Sequence, residues 1–168
     1  MNTSKCRIAI PVVILCLLPA LNSASTVRAV ISLDGNWDIA EGTMEQAPAR
    51  FERRVPVPGL VDMAQPAFAG VGETNRLREA FWYRKTFQIK EAVPAVALLK
   101  IHKAACGARV WLNGTLAGEH LPSFTPGYFE VRNALRGAGA TNELRVRVGA
   151  SRDSVPARSD GRSSATPT

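Results

Sequence analysis

The chain has 168 residues, 46% of them hydrophobic, and three cysteines, which bounds it to one domain with a core of its own. Its net charge is +7. Setting aside Lys5 and Arg7 at the start, and the three Arg and two Asp beyond Ser151, leaves 16 basic and 12 acidic residues. They are scattered along the sequence, with no clustered basic stripe interleaved with aromatics, so nucleic acid is not expected as a partner.

In chain order, Lys5 and Arg7 precede an apolar run from Ile8 to Leu18, and Ser23-Ala24-Ser25 forms a small-x-small site. This is a signal peptide over residues 1–25, which predicts export to the periplasm or the extracellular space and no membrane association after cleavage. Ile14 and Leu15 are too bulky to make Cys16 a lipoprotein cysteine. Cys6 and Cys16 leave with the signal, so no intrachain disulfide is expected in the mature chain.

From residue 26 to 150 the hydrophobic period is two almost throughout. Asn36–Ala40 and Arg53–Val57 read as strands, and "LVDMAQPAF" (Leu60–Phe68) as a short helical turn. "FWYRKTFQI" puts Phe81, Tyr83, Phe87 and Ile89 on one face, interrupted by Lys85, and Trp82, Arg84, Thr86 and Gln88 on the other. "VALLKI" (Val96–Ile101) is almost continuously apolar, as expected of a strand buried on both sides. Ala108–Leu112 and Thr115–Gly118 flank Asn113-Gly114, a hairpin signal that predicts positive φ at both residues of a type I′ turn. Tyr128–Val131 is a further strand, and "NALRG" (Asn133–Gly137) a single helical turn. "ELRVRV" (Glu143–Val148) alternates Leu144, Val146 and Val148 with Arg145 and Arg147, which places the arginines on a solvated face. Many short strands divided by Gly, Pro and Asn turns, with no long amphipathic helix, predict an all-β antiparallel sandwich or barrel. From Ser151 onward only Val155 is bulky and apolar, so residues 151–168 read as a disordered tail.

Motifs of catalysis are missing from the pattern. There is no serine elbow, HExxH, P-loop or CxxC, and Gly137-x-Gly139 leads into a strand rather than a helix. His102, Cys106 and His120 have no zinc-site spacing, so no metal and no cofactor are expected. The carboxylates do not pair locally, and no catalytic residue is assigned. Asn113-Gly114-Thr115 is also an N-glycosylation sequon, although the hairpin accounts for Asn and Gly without sugar. Trp37, Trp82 and Trp111 are either core aromatics or a stacking platform for sugar. Trp111 lies opposite the apolar residues of its strand, and is the candidate for carbohydrate contact.

Six segments occur together: "SLDGNWDI" (32–39), "VPVPGLVDM" (55–63), "FWYRKTF" (81–87), "VWLNGTLAGEH" (110–120), "FTPGYFEV" (124–131) and "ATNELRVRV" (140–148). In order and spacing they resemble the N-terminal sugar-binding domain of glycoside hydrolase family two, the family of β-galactosidases, β-glucuronidases and β-mannosidases. The resemblance covers about 31–148. It implies a jelly-roll β-sandwich of the galactose-binding-domain type. In the family this domain precedes an immunoglobulin-like sandwich and a TIM barrel that carries both catalytic glutamates. The implied role is therefore accessory and non-catalytic, shaping one wall of the substrate cleft, with the barrel or carbohydrate as partner. The family's closing strand, with its Gly-Ile-x-Arg-type motif, has no counterpart after Ser151. The chain is accordingly expected to be a truncated domain that lacks its closing strand, and to be inactive alone. "AFAGVGETNR" (67–76) lies where relatives send a loop toward the pocket, which makes Asn75 a second candidate for carbohydrate contact. A free-standing carbohydrate-binding module, or a partner of a separately encoded catalytic chain, is the alternative reading.

Overall fold

A computed structural model of the chain describes residues 28–71 and 78–150. The expected signal peptide, the expected tail, with the question of a closing strand, and Asn75 all lie outside the described residues. The chain divides into Met1–Ile31 and Ser32–Thr168, and the described strands all belong to the second unit.

That unit is a β-sandwich with antiparallel pairing throughout. Eight strands are described: β1 Gly35–Gly42, β2 Arg53–Val57, β3 Ala80–Gln88, β4 Leu98–Ile101, β5 Ala108–Leu112, β6 Thr115–His120, β7 Gly127–Glu130 and β8 Thr141–Gly149. Six form one sheet in the order β2-β1-β3-β8-β5-β6, and β4 and β7 pair as a second, smaller sheet. The two helical turns that the sequence suggests are 3-10 turns at Val61–Met63 and Arg132–Ala134.

Period-two patterning decides which face meets the core. Ile39, Tyr83, Val146 and Val110 are cross-strand neighbours in a single row, and Ile39 and Val110 are fully buried. Leu144 and Leu112 make the next row, and Trp37, Val55 and Phe81 complete the large sheet's contribution. Phe129 and Val131 face them from the β7 side. Phe68 closes one end with its ring 5.1 Å from that of Phe81, edge to face, a favoured aromatic geometry. Gly118 on β6, at φ 150°, allows Phe129 to approach. A Cβ there would lie 3.2 Å from its ring.

Two expectations need correction. β4 is not buried on both sides. Leu99 and Ile101 pack on the core, but Leu98 and Val96 are 61% and 68% exposed. The second sheet holds only β4 and β7 among the described residues, and nothing described there covers its outer side. Continuous apolar character does not distinguish a doubly covered strand from one whose outer face is left open. The other correction concerns Arg147, which is not on a solvated face: it is 4% exposed. The segment after β1 crosses over it, with the Met44 carbonyl accepting from its guanidinium.

Burial raises the Tyr83 phenol to about 12. The folded state thus resists ionisation that the unfolded chain undergoes near pH 10. The resulting stabilisation is complete below pH 10 and is lost as pH rises from 10 to 12. Tyr83→Phe should therefore lose less stability than wild type on going from about pH 9 to pH 12, by on the order of 2 kcal/mol. Urea titrations of both proteins at the two pH values would measure this, and parallel pH profiles would refute it.

Candidate functional site

The face of the large sheet that points away from the core is organised in two cross-strand rows. In the first, Ala40, Trp82, Arg147, Arg109 and Glu119 are successive partners across β1, β3, β8, β5 and β6. A strap after β1 lies over this row. The Trp82 indole Nε1 donates to the Thr43 carbonyl at 2.9 Å. Arg147 Nη1 donates to the Met44 carbonyl and Nη2 to Glu119 Oε1, both at 2.7 Å. The strap begins at Gly42 because no side chain fits there: a Cβ would stand 2.8 Å from Trp82 Cδ1. A buried guanidinium is tolerated only when paired and hydrogen-bonded; the strap carbonyl and Glu119 meet that condition at the two Nη atoms, while Nε is buried without a hydrogen-bond partner.

In the second row, Arg54, Asp38, Arg84, Arg145 and Trp111 are successive partners across β2, β1, β3, β8 and β5. Asp38 Oδ2 accepts from Arg84 Nε at 3.1 Å and Nη2 at 2.8 Å, while Arg54 Nε lies 3.7 Å from Oδ1. Arg145 Nε lies 2.8 Å from Glu143 Oε1. Phe51 packs its ring 4.5 Å from the Arg84 guanidinium carbon, within cation–π range.

Two concavities open on this row. One, of about 270 Å³, is lined by Glu45, Ala47, Trp82, Trp111, Gly114 and Arg145. The other, of about 150 Å³, is lined by Asn36, Asp38, Arg54, Arg84, Lys85 and Thr86. Trp111 is half-buried. Its ring stacks on that of Trp82, with centroids 5.0 Å apart at 28°, and the Arg109 guanidinium carbon lies 5.4 Å from its centroid. The structure thus brings two of the three tryptophans together and leaves Trp37 in the core, its Nε1 donating to the Leu33 carbonyl. Neither arginine row is visible as a motif, because Arg54, Arg84 and Arg145 are far apart in sequence. Strand register is the signal that would have found them.

The Asn113-Gly114 turn has the positive φ values that type I′ requires, 52° and 84°. It does more than turn the chain. Asn113 Nδ2 donates to the Ala134 carbonyl and to Asn142 Oδ1, and Asn113 Oδ1 accepts from the Glu143 amide. Asn142, fully buried, also accepts from the Arg136 amide. The sequon nitrogen is therefore engaged inside the fold, so a glycan at Asn113 would remove one of its two N–H donors and with it at least one of these bonds. His120, one of the soft ligands in the sequence, has its Nε2 2.8 Å from Thr125 Oγ1.

The model of the glycosyl hydrolase 2 galactose-binding domain-like family matches residues 66–166. The chain belongs to this family. Among solved structures it is similar to a β-glucuronidase of Faecalibacterium prausnitzii, at 28% identity and a TM-score of 0.56, over 70% of this chain and 20% of that one. It is similar also to the β-glucuronidase of Bifidobacterium dentium complexed with coumarin-3-O-glucuronide, at 26% identity and a TM-score of 0.52, over 69% and 19%. The β-D-glucuronidase of Dictyoglomus thermophilum shares the fold at 22% identity and a TM-score of 0.56, over 70% and 19%. The chain thus spans about a fifth of the length of each. No curated protein matches it.

Asn113→Gly keeps the positive φ of the turn and removes only the amide bonds. It should destabilise the chain by more than about 1 kcal/mol, and Asn142→Ala by about 3 kcal/mol, since buried donors lose their acceptor. Chemical denaturation would measure both; a neutral Asn113→Gly would mean that the residue serves only the turn.

Proposed function

We propose that the chain is the non-catalytic N-terminal domain of an exported β-glycosidase, packed against a catalytic barrel and forming one wall of its substrate cleft. The observation that carries this reading is the family match over residues 66–166 on an antiparallel sandwich. The arrangement of carboxylates supports a non-catalytic role. Asp38, Glu41, Glu119 and Glu143 each face an arginine, whereas glycoside hydrolysis requires two carboxyl groups facing one sugar. The β-glucuronidases above 25% identity make β-glucuronides the first substrate class to examine for the whole enzyme. The basic, apolar and small-residue order at the N-terminus supports export. On this reading Asn75 stays a candidate for carbohydrate contact. The concavity beside Trp111 favours one alternative, a carbohydrate-binding module acting on its own.

The purified 168-residue chain should leave nitrophenyl β-glucuronide, β-galactoside and β-mannoside uncleaved. Turnover that a single carboxylate substitution abolishes would overturn the non-catalytic assignment.

A further inference from the structure

We propose that the second outward row is a binding strip for acidic saccharide chains, running across the strands from Trp111 through Arg145 and Arg84 to Arg54. Four inter-strand steps separate its ends, about 19 Å at the usual strand spacing, which is long enough for several sugar rings. The two concavities lie along it, one lined in part by Arg84 and the other by Arg145, and these two arginines are directly opposed across β3 and β8. Like charges on directly opposed residues disfavour a sheet, and an anion lying between them relieves that repulsion. Neither guanidinium is saturated by its carboxylate: each has five N–H donors, while Asp38 takes Nε and Nη2 of Arg84, and Glu143 is ion-paired with Arg145 without accepting a hydrogen bond from its Nε. At the end of the row, the Arg54 side chain is 74% exposed.

The interleaved groups select the class of anion. Asp38 and Glu45 stand among the arginines and repel a phosphodiester backbone, which offers them no hydroxyl donors except on RNA sugars. A uronic acid chain has both features: a carboxylate on each ring for the guanidinium forks and hydroxyls that donate to Asp38 and Glu45. Trp111, stacked on Trp82 and flanked by the Arg109 guanidinium, lines the concavity at this end of the strip and supplies its aromatic wall. The choice of saccharide over another polyanion rests on the glycosidase-domain reading; the strip itself rests on the arginine row.

Calorimetric titration of the full chain tests this with hexagalacturonate, a neutral galactose oligosaccharide and a single-stranded DNA oligonucleotide of matched length. Hexagalacturonate should bind at low salt, more weakly at about 0.2 M NaCl, and far more tightly than the other two. Arg54→Ala and Arg145→Ala should each weaken it about tenfold, while Lys90→Ala, off the row, should leave it unchanged, with thermal melts verifying that each variant is folded. Absence of hexagalacturonate binding, arginine variants no weaker than Lys90→Ala, or DNA bound as tightly would each overturn the strip. None of these results bears on the non-catalytic assignment, which nitrophenyl glycoside turnover tests separately.

Discussion

The register of β8 is the constraint on which the rest of the sandwich depends. This strand pairs with β3 over nine residues, from Ala80 opposite Gly149 to Gln88 opposite Thr141, and with β5 over five. Its alternation sends Leu144 and Val146 into the core and Arg145 and Arg147 to the opposite face. A slip by one residue would exchange the two sets and drive both arginines into the core. The Asn113–Asn142 network sits where β8 begins, joining the β5–β6 turn to the Arg132–Ala134 turn and the first residues of β8. Buried amides that are fully hydrogen-bonded are position-specific in a way apolar contacts are not, so this network holds the strand in place along its axis.

Once β8 is set, the outer face follows. Arg147 comes to lie beside Trp82 and must find acceptors, which the strap after β1 and Glu119 provide. Trp111 leans onto Trp82 across β8 and divides the face into a covered row and an open one. The covered row has buried groups with every sign of a structural role. The open row carries one exposed guanidinium, Arg54, and two half-buried ones, Arg84 and Arg145, beside concavities, and that difference in covering is what makes it the candidate for binding.

Much of the fold was legible in the residues themselves. All eight described strands coincide with alternating or apolar runs, and the Asn113-Gly114 hairpin has the turn geometry its sequence demands. Two readings failed for a common reason. "VALLKI" was expected to be covered twice and is covered once; Arg147 was expected to be solvated and is covered by a strap. Alternation reports which residues share a face of a strand, but not what lies over that face.

What the sequence alone determined is the class of fold, its turns and, through six short segments, its family. These are local properties: period, φ preference and motif order are all written within a few residues of one another. What only the tertiary structure decided is the meaning of the polar residues. Arg54, Asp38, Arg84, Arg145 and Trp111 become neighbours only because five strands pair in one register. Asn113 becomes a staple only because Asn142 and Ala134 fold back to it. Such contacts join residues tens of positions apart, and strand pairing, not local sequence, brings them within hydrogen-bonding range.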